Sequence, residues 1–353
     1  MDFTQSEASV DLGGLVRTIT ESICTNDHQR ALDAAPQRFD RALWAKLIGA
    51  DVLSAAAPES IGGGGYGVAE QTAILTALGR QLAAVPYLES VVAAAGALAE
   101  FGDDDARARW AAPAVAGEQL LAVAATPEVG GPPVRAEGNV LTGALTQVAY
   151  GSVADAFLVV AETGSGPAVF VIEAGAAGLT RTDLDTTGRG PVAALTLASV
   201  TAAARLGDGA SAWLRDRLAL GYSAFQLGVL ERALELTALY AREREQFDRP
   251  IGSFQAVAQR LADGYIDVKG LRLTLTQAAF SGAATDIASA AFWAAEAGHR
   301  VAHTAVHVHG GVGIDMDHPV HRYFLAAKQI EFNLGGATGQ LLGLGALLAD
   351  APV

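Results

Sequence analysis

Three sets of side chains in this 353-residue sequence are of types that could do chemistry. The first is the run Arg244-Glu245-Gln246-Phe247-Asp248-Arg249-Pro250-Ile251-Gly252-Ser253-Phe254-Gln255, which packs cations, amides and aromatics into one short connection. The second is a late concentration of imidazoles. Six of the seven histidines follow Gly298: His299, His303, His307, His309, His318 and His321. His299, His303 and His307 fall at i, i+4 and i+8, so they share a helix face from which neutral imidazoles could ligate zinc. No cysteine is near them, and Glu296 is the one close carboxylate before Asp315, so the sequence supplies no full tetrahedral ligand set and we predict no metal. The third is Gly62-Gly63-Gly64-Gly65. No Gly-Lys-Ser/Thr follows and no clear strand precedes it, so it reads as a turn rather than a phosphate loop. The single cysteine, Cys24, cannot form an internal disulfide and reads as a small buried hydrophobe.

The elements that must position these groups are mostly helical. An apolar pattern from about Trp213 to Tyr240 contains no proline and predicts a buried helix. Arg244 then sits at its C-terminus, where the helix dipole favours a cation. Pro250 stops the helix, Gly252 eases the turn, and Ser253 is a candidate N-cap for a second helix to about Phe280. The short polar link Phe280–Thr285 leaves two readings open: a tight turn between antiparallel helices, or a junction from which a segment is absent. Upstream, helices are predicted over Glu7–Cys24, Gln29–Ala34, Asp40–Ala50, Val68–Leu82, Leu88–Phe101 and Asp104–Ala112. Near Glu118 the texture changes to short β-branched or aromatic runs: Leu120–Ala125, Val140–Thr142, Gln147–Tyr150, Ala156–Val160, Ala168–Ile172 and Ala193–Ser199. The expectation is a mainly α protein with a small β domain: a helical domain over 1–117, a β domain over 118–208 and a helical bundle over 209–353.

Hydrophobic content is 51%, enough for a large core, and the net charge is −14. That acidity argues against a nucleic-acid partner or an anionic membrane surface, because no basic surface is available to meet phosphates. The longest apolar runs are too short to span a bilayer. Met1-Asp2-Phe3-Thr4-Gln5 has neither a basic n-region nor an h-region, so a cytosolic location is expected.

Tyr240-x-x-x-Arg244-x-Gln246-Phe247-x-x-Pro250-Ile251-Gly252-x-Phe254-Gln255 resembles the signature of the acyl-CoA dehydrogenase family. His307-Val308-His309-Gly310-Gly311-Val312-Gly313 resembles that family's Gln-x-x-Gly-Gly-x-Gly, with His307 in place of the glutamine. Pro58-Glu59-x-x-Gly62-Gly63-x-Gly65 is similar to a turn in its N-terminal domain, and the resemblance covers essentially the whole chain. It implies a helical domain, a β-barrel-like domain and a four-helix bundle. It further implies that Arg244, Gln246, Phe247, Ile251, Gln255, His307, Val308, Gly310 and Gly311 face the adenine and pyrophosphate of an FAD held by a neighbouring subunit. A guanidinium suits phosphate oxygens, an aromatic suits adenine, and glycines admit close backbone approach.

The motifs that would serve a subunit's own flavin are degraded. The family's Thr-Glu-Pro-x-Ala-Gly-Ser-Asp is here Ala125-Thr126-Pro127-Glu128-Val129-Gly130-Gly131-Pro132. Its Gly-x-Lys-x-Trp-Ile-Ser/Thr is here Gly143-Ala144-Leu145-Thr146-Gln147-Val148-Ala149, so Gln147 stands for the ring-stacking aromatic and Ala149 for the hydroxyl. The two family positions of the catalytic carboxylate fall on Leu334 and Leu218, neither of which can take a proton. The resemblance is therefore to the non-catalytic subunits of actinobacterial α2β2 acyl-CoA dehydrogenases acting on steroid side-chain CoA thioesters. The implied partner is a homologous subunit that carries the catalytic Glu. Two rivals stay open: a self-sufficient homotetramer with a relocated base, such as Asp216, Glu231 or Glu331, and a flavin-free interaction protein on the same fold.

Overall fold

The computed structural model describes residues 4–127 and 131–350. Glu128, Val129 and Gly130 of the Ala125–Pro132 stretch lie outside the described residues. Two compact units form. One gathers the described residues of Met1–Arg30, Val68–Ala83 and Ala219–Val353, the other those of Ala31–Gly67 and Ala84–Leu218.

The first unit is helical: α1 (Glu7–Ile23), the start of α2 (Asn26–Ala34), α4 (Val68–Arg80), most of α5 (Ala210–Glu243), α6 (Gln255–Ser281), α7 (Ala284–His309), α8 (Val320–Asn333) and α9 (Gly336–Asp350). In α5 the apolar residues face several neighbours at once, as the long pattern without proline requires. Gln226, fully buried, donates its amide to the carbonyls of Ala294 (3.3 Å) and Ala327 (3.2 Å), tying α5 to α7 and α8. Glycine lets α4 and α5 touch backbone to backbone. A Cβ on Gly228 would lie 2.0 Å from the Thr76 carbonyl oxygen and 2.7 Å from the Arg80 nitrogen. Gly228→Ala is therefore expected to lose roughly 1–3 kcal/mol to overpacking, despite alanine's better helix propensity. A urea midpoint that drops at constant m-value would show it, and an unchanged midpoint would refute it.

The second unit holds α3 (Arg41–Gly49) and an eight-stranded sheet in the order β6-β7-β3-β2-β4-β5-β8, with β1 paired in parallel to β4. The strands are β1 (Leu121–Ala124), β2 (Arg135–Glu137), β3 (Val140–Val148), β4 (Ala156–Thr163), β5 (Gly166–Glu173), β6 (Leu179–Leu184), β7 (Val192–Thr201) and β8 (Ala204–Arg205). Their inward side chains, among them Leu141, Phe157, Phe170, Leu195 and Val200, form one core. Asp40 caps α3, accepting from the Leu43 N–H at 2.9 Å. The residues 62–65 turn spends its N–H groups on its own chain: Gly63 donates to Pro58, Gly64 to Ser54 and Gly65 to Ala57. That leaves no phosphate cradle there, as the missing Lys-Ser/Thr suggested.

Several expectations need correction. Val140–Thr142 and Gln147–Tyr150 are not two strands. One strand, β3, runs through a kink at Gly143 (φ 145°) and a register shift between Leu145 and Val148. Strands β2, β6 and β8 were not expected. β6 reads Leu-Thr-Arg-Thr-Asp-Leu and is largely exposed, so it lacks the apolar alternation that marks a strand. Ser253 is not the N-cap of α6. That place is taken by Phe254, while the Ser253 hydroxyl donates to the Pro250 carbonyl at 2.7 Å. The Phe280–Thr285 link is a tight turn in which Gly282 adopts φ 64° and Ser281 and Gln277 both bond the Asp286 carboxylate.

Candidate functional site

The chain leaves α5 at Glu243 and makes a two-residue-per-strand hairpin, Glu245–Gln246 against Arg249–Pro250. Two backbone bonds set its base: the Arg244 N–H donates to Tyr240 O (2.8 Å), and the Ile251 N–H donates to Arg244 O (2.8 Å). The tip residues Phe247 and Asp248 hold φ 55° and 63°, the left-handed pair a tight hairpin demands. A bulky residue pays for that conformation, and the Phe247 ring stays 86% exposed. It touches Phe254 edge-on, with centroids 6.1 Å apart, and the Arg249 guanidinium covers the Phe254 ring at 4.2 Å. Arg244, Gln246 and Gln255 are exposed, and Ile251 is half-buried. The hairpin thus presents a cation, two amides and an uncovered aromatic to whatever docks there.

The second motif closes α7. His307 is exposed, whereas Val308 is buried at 8% exposure, so its side chain faces inward and its backbone is what remains to meet a ligand. Gly310 adopts φ 60° and ψ −136°, a conformation open to glycine alone, and begins the tight turn Gly310–Ile314. A Cβ on Gly311 would meet no atom within 4 Å. The chain itself does not require glycine at that position, and the open face leaves room for another molecule's backbone or a ligand.

The structure joins the two motifs through an aromatic contact. The Tyr240 ring, in the last turn of α5, stacks on His309 with centroids 4.3 Å apart and planes 23° apart. His318 packs edge-on to Tyr240 and tilted against His309 at 5.0 Å. The hairpin and the glycine turn therefore emerge side by side. The sequence signal was present: Tyr240 lies one turn before Arg244, and His309 directly precedes Gly310.

Tautomers follow from the partners. His309 Nδ1 carries its proton, because it donates to the Ala305 carbonyl at 2.8 Å. Its Nε2 is a buried acceptor with no hydrogen-bond partner among the described residues. His318 Nδ1 accepts from the Val320 N–H at 3.3 Å, so its proton sits on Nε2. Burial pulls both rings below the ordinary histidine range. The Ala305 bond partly offsets this at His309, and Asp315 does so at His318. A lowered folded-state pKa means the unfolded chain binds more protons just below about pH 6.5. Stability is therefore expected to be complete above that value and to fall as pH drops through it. Thermal melts between pH 7.5 and 5.5 check this, and a midpoint that rises on acidification would contradict it.

The histidine row on α7 is otherwise engaged. His299 and His303 lie 4.5 Å apart, but the Lys328 amine sits 3.0 Å from His299 Nδ1. Among the described residues no three His, Cys, Asp or Glu side chains gather as a metal-ligand set.

The carboxylates offered as substitute bases are held by cations. Glu231 lies between Arg80 (3.0 Å) and Arg272. Glu331 pairs with Lys328 and, at 3.4 Å, with His299. Asp216 pairs with Arg215 at 3.1 Å. Leu334 is 5% exposed at the end of α8, and Leu218 is half-buried in α5. In β3, Gln147 is half-buried at φ 56° inside the register shift, and Ala149 follows the strand without a hydroxyl.

Two family models match the chain: acyl-CoA dehydrogenase, N-terminal domain, over residues 8–118, and acyl-CoA dehydrogenase, C-terminal domain, over residues 194–343. The chain is 62% identical to acyl-CoA dehydrogenase FadE27 of Mycobacterium tuberculosis, covering 100% of both proteins. A chain in the crystal structure of the ChsE4-ChsE5 complex from Mycobacterium tuberculosis superposes with a TM-score of 0.97 at 63% identity, again over 100% of both. A chain of the Tcur3481-Tcur3483 steroid ACAD G363A variant gives a TM-score of 0.93 at 39% identity, over 98% of this chain and 99% of that one.

Proposed function

The chain belongs to the acyl-CoA dehydrogenase family, and from that premise we propose that it is the non-catalytic subunit of a heteromeric, FAD-dependent acyl-CoA dehydrogenase. One observation carries the reading. The Tyr240–His309 stack assembles the two turns suited to the adenine and pyrophosphate end of FAD, while leucines occupy both positions for the base. When bound, FAD takes the hydride that leaves the acyl β-carbon.

This chain's part is to bind and orient. Arg244 offers a forked pair of donors to the pyrophosphate, Phe247 an apolar wall to adenine, and Gly310 and Gly311 an unobstructed backbone. Gln246, Ile251, Gln255, His307 and the backbone of Val308 complete that surface. The ring side does not fit. Gln147 gives no aromatic face and Ala149 no hydroxyl, so the isoalloxazine is expected to lie in the partner's β domain rather than this one. A rim of exposed apolar side chains supports a subunit interface. Tyr265, Ile266, Leu273 and Phe280 on α6 are 57–63% exposed, and Leu342 on α9 is 72% exposed.

The partner is read as a homologous acyl-CoA dehydrogenase chain with an intact catalytic Glu, in an α2β2 assembly. The substrate is read as a steroid side-chain CoA thioester, a cholesterol catabolite, which undergoes α,β-desaturation. The likeness to the two complexes supports this. Acidity, and the absence among the described residues of a helix long and apolar enough to cross a membrane, fit a cytoplasmic reading. Expression alone and with the gene-neighbour chain tests the proposal. We expect a colourless chain alone and a yellow, active complex. A yellow, active homotetramer would establish self-sufficiency, and a chain that stays colourless with the partner would establish the flavin-free alternative.

A further inference from the structure

We propose that Tyr240 and His309 are positioning residues: their stack sets the separation between the hairpin and the glycine turn that FAD's adenosine diphosphate end requires. The inference rests on the reading above and assigns a role to two residues outside the ligand-facing set. His309 is 3% exposed, so it acts through its neighbours rather than by touching the cofactor. Each ring is one step from the turn it controls. The Tyr240 carbonyl accepts the Arg244 N–H at 2.8 Å, and His309 is bonded directly to Gly310, whose N–H in turn donates to the carbonyls of His307 and Val306. The His309 ring cannot swing freely, because its Nδ1–H is anchored on Ala305 O. His318, packed on both rings, closes the cluster from the Gly310–Ile314 side. Displacing either ring frees the end of α5 to move relative to the end of α7, and the two half-sites lose register.

The cluster also gives the clamp an acid limit. The groups facing His309 are Tyr240, His318 and the Ala305 carbonyl; Asp315 and His321 stand behind His318. A proton on His309 Nε2 would place a charge in a buried spot that holds no acceptor for it among the described residues.

The test uses the complex co-purified with the partner subunit, stripped of flavin and titrated with FAD by fluorescence, with assembly followed by sedimentation. Tyr240→Leu and His309→Leu keep an apolar side chain at each position but lose the flat stack. Each is expected to raise the FAD Kd about 3–10-fold with assembly intact. His309→Phe restores the stack, though not the bond to Ala305 O, and is expected to bind within about two-fold of wild type because packing against Tyr240 and His318 still holds the ring. It should also show a shallower rise of Kd between pH 7.5 and 5.5, a change that packing alone would not produce. Arg244→Ala serves as the control. If Arg244→Ala weakens binding and both leucine variants do not, the clamp is wrong and the subunit reading stands. If all three bind as wild type, the subunit reading itself falls. An unaltered acid dependence in His309→Phe also overturns the clamp. Should a leucine variant fail to assemble, the His309→Phe profile still decides.

Discussion

With the roles proposed above, replacing the catalytic carboxylate assigned to the partner subunit is expected to lower turnover of the co-purified complex by about 10²–10⁴-fold, the usual contribution of a positioned general base. Glu331→Gln and Glu231→Gln in this chain should leave turnover per bound flavin within roughly three-fold, because neighbouring cations engage both carboxylates. Two guanidiniums hold Glu231. Glu331 faces an ammonium and an imidazole. Glu231→Gln does carry a structural cost. It leaves Arg80 and Arg272 without their shared carboxylate on a side chain only 11% exposed, which should cost on the order of 1–3 kcal/mol. Stability and turnover thus separate: Glu231→Gln melts earlier but turns over normally when folded. Leu334→Glu should not make the isolated chain active, since Gln147 and Ala149 still give the flavin ring no seat. Steady-state turnover with a steroid acyl-CoA and an artificial electron acceptor reads all four variants. A large loss from Glu231→Gln or Glu331→Gln at full flavin content would place the base in this chain and reverse the roles.

What the sequence made legible was the long-range plan. The apolar run into Arg244, the break at Pro250 and the change of texture near Glu118 correspond to α5, the hairpin and the sheet. What stayed hidden has local causes. The hairpin's strands are two residues each and its tip is Phe-Asp, not the Asn-Gly that marks such turns, and Ser253 looked like a cap although it ends a short 3₁₀ turn, Ile251–Ser253, that precedes α6. The exposed, charged β6 carries no hydrophobic period, and Gly143 disguised β3 as two pieces. The residues proposed to face the cofactor were singled out because their two motifs resemble those of the family. Tyr240 and His309 stood inside the two motifs without a role of their own, because each alone is an ordinary aromatic near a helix end. Only the packing of α5 against α7 makes them a pair.

Arg244→Ala is expected to leave the fold intact and cut FAD affinity of the complex about 10–150-fold, the equivalent of the ~1.5–3 kcal/mol that a hydrogen bond to a charged group contributes. The fold survives because the hairpin hangs on Arg244's backbone, through its bonds to Tyr240 and Ile251, rather than on its side chain. Removing a cation from a helix C-terminus costs only about 0.3–1 kcal/mol in stability. Affinity is expected to suffer more because of where the pyrophosphate is proposed to sit. Both turns emerge from helix C-termini, those of α5 and α7. Their dipole ends are negative and oppose an anion, unlike the helix N-termini that usually receive phosphates. The favourable charge must therefore come from side chains. Of the two arginines in the hairpin segment, Arg249 is committed to the face of Phe254, and Arg244, exposed at the hairpin's base, is the suited donor. Arg244→Lys should recover only part of the loss, since an ammonium restores the charge but not the two-pronged geometry. Flavin content after purification and fluorescence titration give the affinities, and circular dichroism checks the fold. Wild-type affinity in Arg244→Ala would remove the guanidinium from the site, and full recovery by lysine would show that charge alone, without the fork, holds the pyrophosphate.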